Sequence, residues 1–154
     1  MKVLAIVMFV FSALLAPVYA EDRPADTMQI VKEKIKADKK LFVAENLQLT
    51  ESEAKAFWPV YESYQRDLDA INERLIKLIK EYARNFDSMT DEAAAKLVSD
   101  AVNIDVDRTK QMQTYLPQIM KALPAKKAAR YYQLETKIRA LINFELAAEI
   151  PLIK

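Results

Sequence analysis

From residue 50 onward, apolar positions recur at helical spacing. Phe57, Tyr61, Tyr64, Leu68, Ile71, Leu75, Leu78 and Tyr82 follow one another at intervals of 4, 3, 4, 3, 4, 3 and 4. That unbroken heptad seam predicts a helix packed lengthwise on another. Thr50-Glu51-Ser52-Glu53 opens it as a capping box, with acid in the electropositive first turn. Pro59 lies inside the pattern and predicts a kink, because it removes the bond to the carbonyl of Lys55 while the seam continues in phase. A first helix is predicted from Thr27 to Glu45, with Asp26 and Gln29 as its capping box, Met28, Val31, Ile35 and Phe42 as its stripe, and Asn46 as its C-terminal cap. Residues 84–90 break the periodicity and predict a loop. Thr90-Asp91-Glu92 starts a third helix striped by Leu97, Ala101, Ile104, Met112, Tyr115 and Ile119, with Arg108 and Gln111 interrupting it and Pro117 as a second kink. Pro124 suits the first position of a fourth helix, striped by Tyr131, Leu134, Ile138 and Leu141, with Leu146 further on, and ending at Glu149-Ile150-Pro151.

The expected fold is therefore all-α: four helices in a long, kinked helical hairpin. The second and third helices each approach 30 residues, roughly 45 Å at the rise of an α-helix. So few remaining residues do not wrap such helices into a ball. The expected shape is elongated, with apolar faces left for a second subunit or a client, and a dimer is expected.

The start of the chain has a different pattern. Lys2 precedes an apolar run from Val3 to Leu15 broken only by Ser12, and Val18-Tyr19-Ala20 precedes the polar Glu21-Asp22. Residues 1–20 read as a secretory signal peptide cleaved after Ala20. The run is shorter than the ~20 residues a spanning helix needs, which argues against an anchor. Residues 21–26 form a polar lead, and residues 27–150 a single helical domain. The expected location is the periplasm, without stable membrane insertion.

Composition then removes whole classes of chemistry. The chain has no His, no Cys and no Gly, where average usage would give about ten Gly. Thiol nucleophiles, imidazole bases, disulfides and nearly all zinc or copper sites are excluded. So are the Gly-rich loops that cradle phosphates. Of 23 Lys+Arg, Lys2 falls in the leader, so the 22 that follow balance the 22 Asp+Glu. No global basic field for nucleic acid exists. No catalytic residues, cofactor or metal are expected, and the chain is not expected to be an enzyme.

Charge is balanced but segregated. Residues 87–107 hold Asp87, Asp91, Glu92, Asp100, Asp105 and Asp107 against Lys96, and residues 121–139 hold Lys121, Lys126, Lys127, Arg130, Lys137 and Arg139 against Glu135. Complementary faces within the fold or a dimer, plus solvated surface, are the plain reading. Attraction of the basic helix to acidic clients or anionic lipid is the sharper alternative. Asp100, Asn103 and Asp107 share one helix face and form a candidate weak site for a hard cation.

Leu49 to Trp58 can be laid on Leu123 to Tyr132 at an offset of 74, each a helix start followed two turns later by two aromatics. With the leader and the long Pro-interrupted helices, this layout resembles the LTxxQ family of periplasmic helical proteins, which includes the Spy and CpxP stress proteins. The first motif here is Leu49-Thr50-Glu51-Ser52-Glu53, with Glu in place of the family's Gln. The second, Leu123-Pro124-Ala125-Lys126-Lys127, keeps only Leu. The resemblance implies a curved helical dimer that protects unfolded envelope proteins without ATP. Phe57, Trp58, Tyr61, Tyr64, Tyr131 and Tyr132 are the candidate client-binding residues, since aromatics combine large contact area with a polar tip. Core or dimer packing is the alternative role for Phe57, Trp58, Tyr61 and Tyr64. The expected function is a periplasmic ATP-independent chaperone or envelope-stress protein whose partners are unfolded or envelope proteins. The alternative is a coiled-coil-like adaptor with one fixed partner.

Overall fold

The computed structural model describes residues 39–153. The chain divides into two units, Met1–Lys39 and Lys40–Lys154, and the helices below lie in the second, except for Lys39, where the first of them starts. The leader, the polar lead and the predicted cap and stripe at Asp26, Met28, Gln29, Val31 and Ile35 lie outside the described residues.

The described residues are all-α. Helix α1 covers residues 39–47, α2 Glu51–Asn85, α3 Asp91–Ala122 and α4 Ala125–Glu149, with a single 3₁₀ turn at Phe86–Ser88. No strand occurs among the described residues.

The helix starts follow the predicted chemistry. At Thr50 the Glu53 amide donates to Thr50 Oγ1 at 3.3 Å, and the Thr50 amide donates to Glu53 Oε2 at 2.8 Å. Thr90 Oγ1 accepts from the Ala93 amide at 3.2 Å and begins α3. Both helices run on through their prolines, Pro59 and Pro117. Helix α4 begins at Ala125, one residue later than predicted, with Pro124 as its N-cap: the Pro124 carbonyl accepts from the amides of Lys127 and Ala128. The break between α2 and α3 is shorter than expected, since α2 persists to Asn85.

Helix α1 departs from its predicted phase. Phe42 faces solvent, while Val43 and Leu47 are fully buried. The helix also runs two residues past Glu45. Asn46 is therefore no left-handed cap: it stays helical, and its Nδ2 donates to the Phe42 carbonyl at 2.8 Å. The left-handed residue is Gln48, at φ 46°, and a non-glycine side chain takes up that strained position because Leu47 must stay helical to reach the core.

Cross-helix partners fix the arrangement. Glu81 meets Lys96, Arg74 meets Asp107, Asn72 meets Arg108 and Asp67 meets Tyr115, so α2 and α3 are antiparallel. Glu53 meets Lys127, Gln65 meets Glu135 and Tyr82 meets the Pro151 carbonyl, so α4 runs parallel to α2. The three helices go up, down and up, with α4 covering a side that the hairpin alone would leave open. Tyr61, Tyr64, Leu68, Leu123 and Leu134 join Val43, Leu47, Phe57, Ile119, Ala128 and Tyr131 in one core cluster at the end where α2 and α4 begin.

Candidate functional site

The repeat in the sequence becomes a pairing in space. Phe57 and Tyr131, equivalent at the offset of 74, lie edge to face with ring centroids 5.1 Å apart. The equivalent pair one turn earlier, Glu53 and Lys127, closes an ion pair of 2.6 Å. Lys127 also donates to the Gln48 carbonyl at 2.9 Å, pinning the turn that follows α1. The Lys127 hydrogen bond, with the Thr50 amide next, holds the Glu53 carboxyl below the usual carboxylate range. Around this pair, Trp58, Tyr61 and Tyr64 add further tilted and edge-to-face contacts, the arrangements that the ring quadrupole favours.

Below the rings lies a polar layer. Gln65 Nε2 donates to Glu135 Oε1 at 3.0 Å and to the Tyr131 hydroxyl at 3.4 Å. Glu135 is 7% exposed, the buried charged residue among those described. Arg108 donates to Asn72 Oδ1 at 3.0 Å, and Gln111 Nε2 donates to the Tyr64 carbonyl at 2.9 Å. Arg108 and Gln111 thus interrupt the apolar stripe of α3 because they supply this layer. Gln111 Oε1 is buried without a hydrogen-bond partner, a cost that specific packing elsewhere must offset. Burial, then the nearby Glu135 charge, pushes the phenols of Tyr61, Tyr64 and Tyr131 above their ordinary value. Burial lowers Arg108.

The six candidate residues therefore divide. Phe57, Tyr61, Tyr64 and Tyr131 are buried and form the core of the junction. Trp58 is half-buried, with the Lys40 ammonium 5.2 Å above its ring and Lys40 paired to Glu62 at 2.7 Å. Tyr132 alone is well exposed. Of the six, Phe57, Tyr61, Tyr64 and Tyr131 spend their contact area on one another, and Tyr132 stands in solvent.

The solvent-facing apolar surface lies elsewhere. On α3, Val98 is 61% and Val102 56% exposed, and Val106, Leu116 and Met120 continue the same side of the helix. On α4, Leu141 is 61% and Phe144 74% exposed, followed by Leu152 and Ile153. Leu141, expected inside with Ile138 and Leu146, is exposed, and the half-buried Ile142 takes its place. A second apolar periodicity on α3 was the signal in the sequence for the first of these stripes, hidden by the stronger inner one.

Members of both charged segments pair with residues of α2. Besides Glu53 and Lys127, Arg74 engages Asp107 at 2.6 Å and Lys96 engages Asp100 at 2.7 Å and Glu81 at 3.6 Å. The Arg74 hydrogen bond lowers the Asp107 carboxyl, and the Asp100 hydrogen bond raises Lys96. Asp100 and Asp107 thus turn to separate cations and do not converge with Asn103. Among the described residues, no group of three acidic side chains is placed to hold a metal ion, and no helix is long and apolar enough to cross a membrane.

The described residues form a helical protein that leaves apolar stripes in solvent. Comparisons with known protein families, with curated proteins and with solved structures return no match.

Proposed function

We propose that this chain is an exported, ATP-independent binding protein that holds exposed apolar segments of unfolded or envelope proteins. The observation that carries the reading is apolar area in solvent: Leu141, Phe144, Leu152 and Ile153 stand exposed around the end of α4 while a well-packed core is already complete elsewhere. A folded domain that keeps such side chains outside offers a surface for protein contact. Charged residues beside them, among them Lys137, Arg139, Glu145 and Glu149, keep a captured segment in solution. The leader-like pattern of residues 1–20 supports an exported, periplasmic location for this activity. No step of the activity needs a nucleophile, a metal or a cofactor.

The test is light scattering. The chain, purified after export, is added at rising ratio to a chemically unfolded, aggregation-prone protein without ATP. Suppression near stoichiometric ratio is expected. Unchanged scattering from folded, helical protein refutes the reading. A fixed-partner scaffold is the second reading, and the regular spacing of the α3 stripe is what favours it. That reading expects no suppression and a partner of constant stoichiometry.

A further inference from the structure

Along the first half of α3, a second seam at heptad spacing runs on the side away from the core. Asp91, Ala95, Val98, Val102 and Asp105 follow one another at intervals of 4, 3, 4 and 3, and all five are exposed. Glu92 and Val106, also exposed, flank the seam. Three apolar positions are thus bracketed by two carboxylates two heptads apart, roughly 21 Å along the helix.

The helix itself gains little from this seam. Valine is a weaker helix former than alanine or lysine, so Val98, Val102 and Val106 in water do nothing for α3 alone. In a helix, valine has one strongly preferred χ1 rotamer, so a partner buries it at small cost in side-chain freedom. The carboxylates are also available. Asp100 pairs with Lys96 and Asp107 with Arg74, while Asp91, Glu92 and Asp105 form no ion pair among the described residues. The electropositive helix start accounts for Asp91 and Glu92. It does not reach Asp105, about four turns further on.

Charge chooses the occupant. Three carboxylates repel an anionic lipid surface. A neutral or acidic segment would desolvate them without pairing them. The alternating 4 and 3 spacing is met by another helix whose apolar residues repeat at the same interval.

We propose that the Asp91–Asp105 face of α3 docks a cationic amphipathic helix of a partner protein, with apolar seam residues bracketed by Lys or Arg two heptads apart. Its apolar residues pack on Ala95, Val98 and Val102, with Val106 widening the contact, and its two cations meet Asp91 and Asp105. Beyond Val106 the flanking charges are Lys110 and Lys121, and the contact ends there. The proposal rests on the fixed-partner reading above, to which it gives a chemistry, and is independent of capture on α4.

The test uses the exported, processed chain and two synthetic helical peptides of about 18 residues. Both carry Leu at the seam positions. One has Lys and the other Glu at the bracketing positions. By fluorescence anisotropy the Lys peptide is expected to bind about tenfold more tightly than the Glu peptide, and the difference is expected to shrink at high salt. V102E is expected to weaken association with the Lys peptide about tenfold, with helical circular dichroism unchanged. D91K combined with D105K is expected to reverse the preference between the peptides, which a misfolded variant does not do. L141N combined with F144N is expected to leave it unchanged. Equal affinity for the two peptides, no binding of either, or no reversal overturns the proposal. So does a dimer of this chain that V102E dissociates, since a second copy then holds the face, and so does capture on anionic vesicles that V102E abolishes. A partner of constant stoichiometry that docks through α4, or through an acidic helix, keeps the fixed-partner reading and defeats this one.

Discussion

The two ends of the helical unit use apolar residues in opposite ways. At the junction, where α2 and α4 begin, Phe57 and Tyr131 are fully buried, Tyr61 and Tyr64 nearly so, and Val43 and Leu47 of α1 close the cluster. At the other end, Leu75, Ile76, Leu78 and Ile79 of α2 are only half-buried, and Leu141 and Phe144 of α4 are exposed. Apolar residues are abundant in both places. What differs is the number of elements that converge: four at the junction, three at the far end among the described residues. A heptad seam such as that of α2 supplies a stripe along its full length, but its burial depends on how many neighbours reach it. Stability therefore concentrates where the repeated modules meet, and surface for contact remains where they diverge.

The largest effect that would break this contrast is in the junction itself. Phe57→Ala and Tyr131→Ala each remove a buried ring from the edge-to-face group and are expected to cost about 3–5 kcal/mol, read from urea unfolding followed by circular dichroism. A loss under 1 kcal/mol at both would show that the rings rearrange freely and that the junction is no anchor.

Alkaline titration sharpens the same point. The phenols of Tyr61, Tyr64 and Tyr131 have folded values raised by burial, then by the charge of Glu135. A raised group adds stability that is fully present below its unfolded value and is lost as pH rises toward the folded one. The unfolded chain releases these protons near pH 10, while the folded protein keeps them. With three such groups, about 4 kcal/mol of stability is expected to be lost by pH 11. Three of the six tyrosines that follow Ala20 are then expected to ionise together with unfolding, which absorbance at 295 nm reports. Non-cooperative ionisation of all six while the helices persist would mean that the junction admits water.

How much of this was readable in the sequence depends on how sharply each segment fixes its phase. Thr50 with Glu53, and Thr90 before two acids, are local chemistry, and both helices start there. The α2 seam alternates cleanly, and its first five members are buried. In α1, by contrast, Leu41, Phe42, Val43 and Ala44 are consecutive apolar residues. No periodicity decides between Phe42 and Val43, and packing chose the latter. Residues 138–148 of α4 are apolar almost throughout, which left Leu141 and Ile142 indistinguishable. Arg108 and Gln111 read as defects in a stripe, because their partners, Asn72 and the Tyr64 carbonyl, lie 36 and 47 residues away. The aromatic group was legible as a group at helical spacing. Its burial was not, since the same spacing serves a core and a contact surface.

Smaller effects compare the two ends through matched caps. Thr50→Ala and Thr90→Ala each remove one side-chain acceptor from a helix start, expected to cost about 1 kcal/mol. If the unit unfolds as one, the two losses agree in urea unfolding. If the far end opens by itself, Thr90→Ala is expected to raise amide exchange in the first turns of α3 and the last turns of α2 by about fivefold, as 1 kcal/mol implies, without moving the global transition. Thr50→Ala would move it. The reverse outcome, in which Thr90 alone shifts global unfolding, would place the anchor at the wrong end.

The smallest effect on stability is the most informative about function. Leu141→Asn and Phe144→Asn together replace exposed apolar side chains at the far end. Neither leaves a cavity, so the expected change in unfolding free energy is within about 0.5 kcal/mol per site. Asn has weaker helix propensity than Leu, and part of any loss has that local origin. Fluorescence of a hydrophobic dye bound to the folded protein is nevertheless expected to fall, because the two residues provide much of the apolar area that α4 leaves in water. Suppression of client aggregation is expected to fall in parallel. A destabilisation well above that range would mean that these side chains are buried against something in solution, and the contrast between a closed junction and an open far end would no longer hold. An unchanged dye signal with intact stability would instead move the contact surface from α4 to the α3 stripe, where V102E would then reduce dye binding and association together.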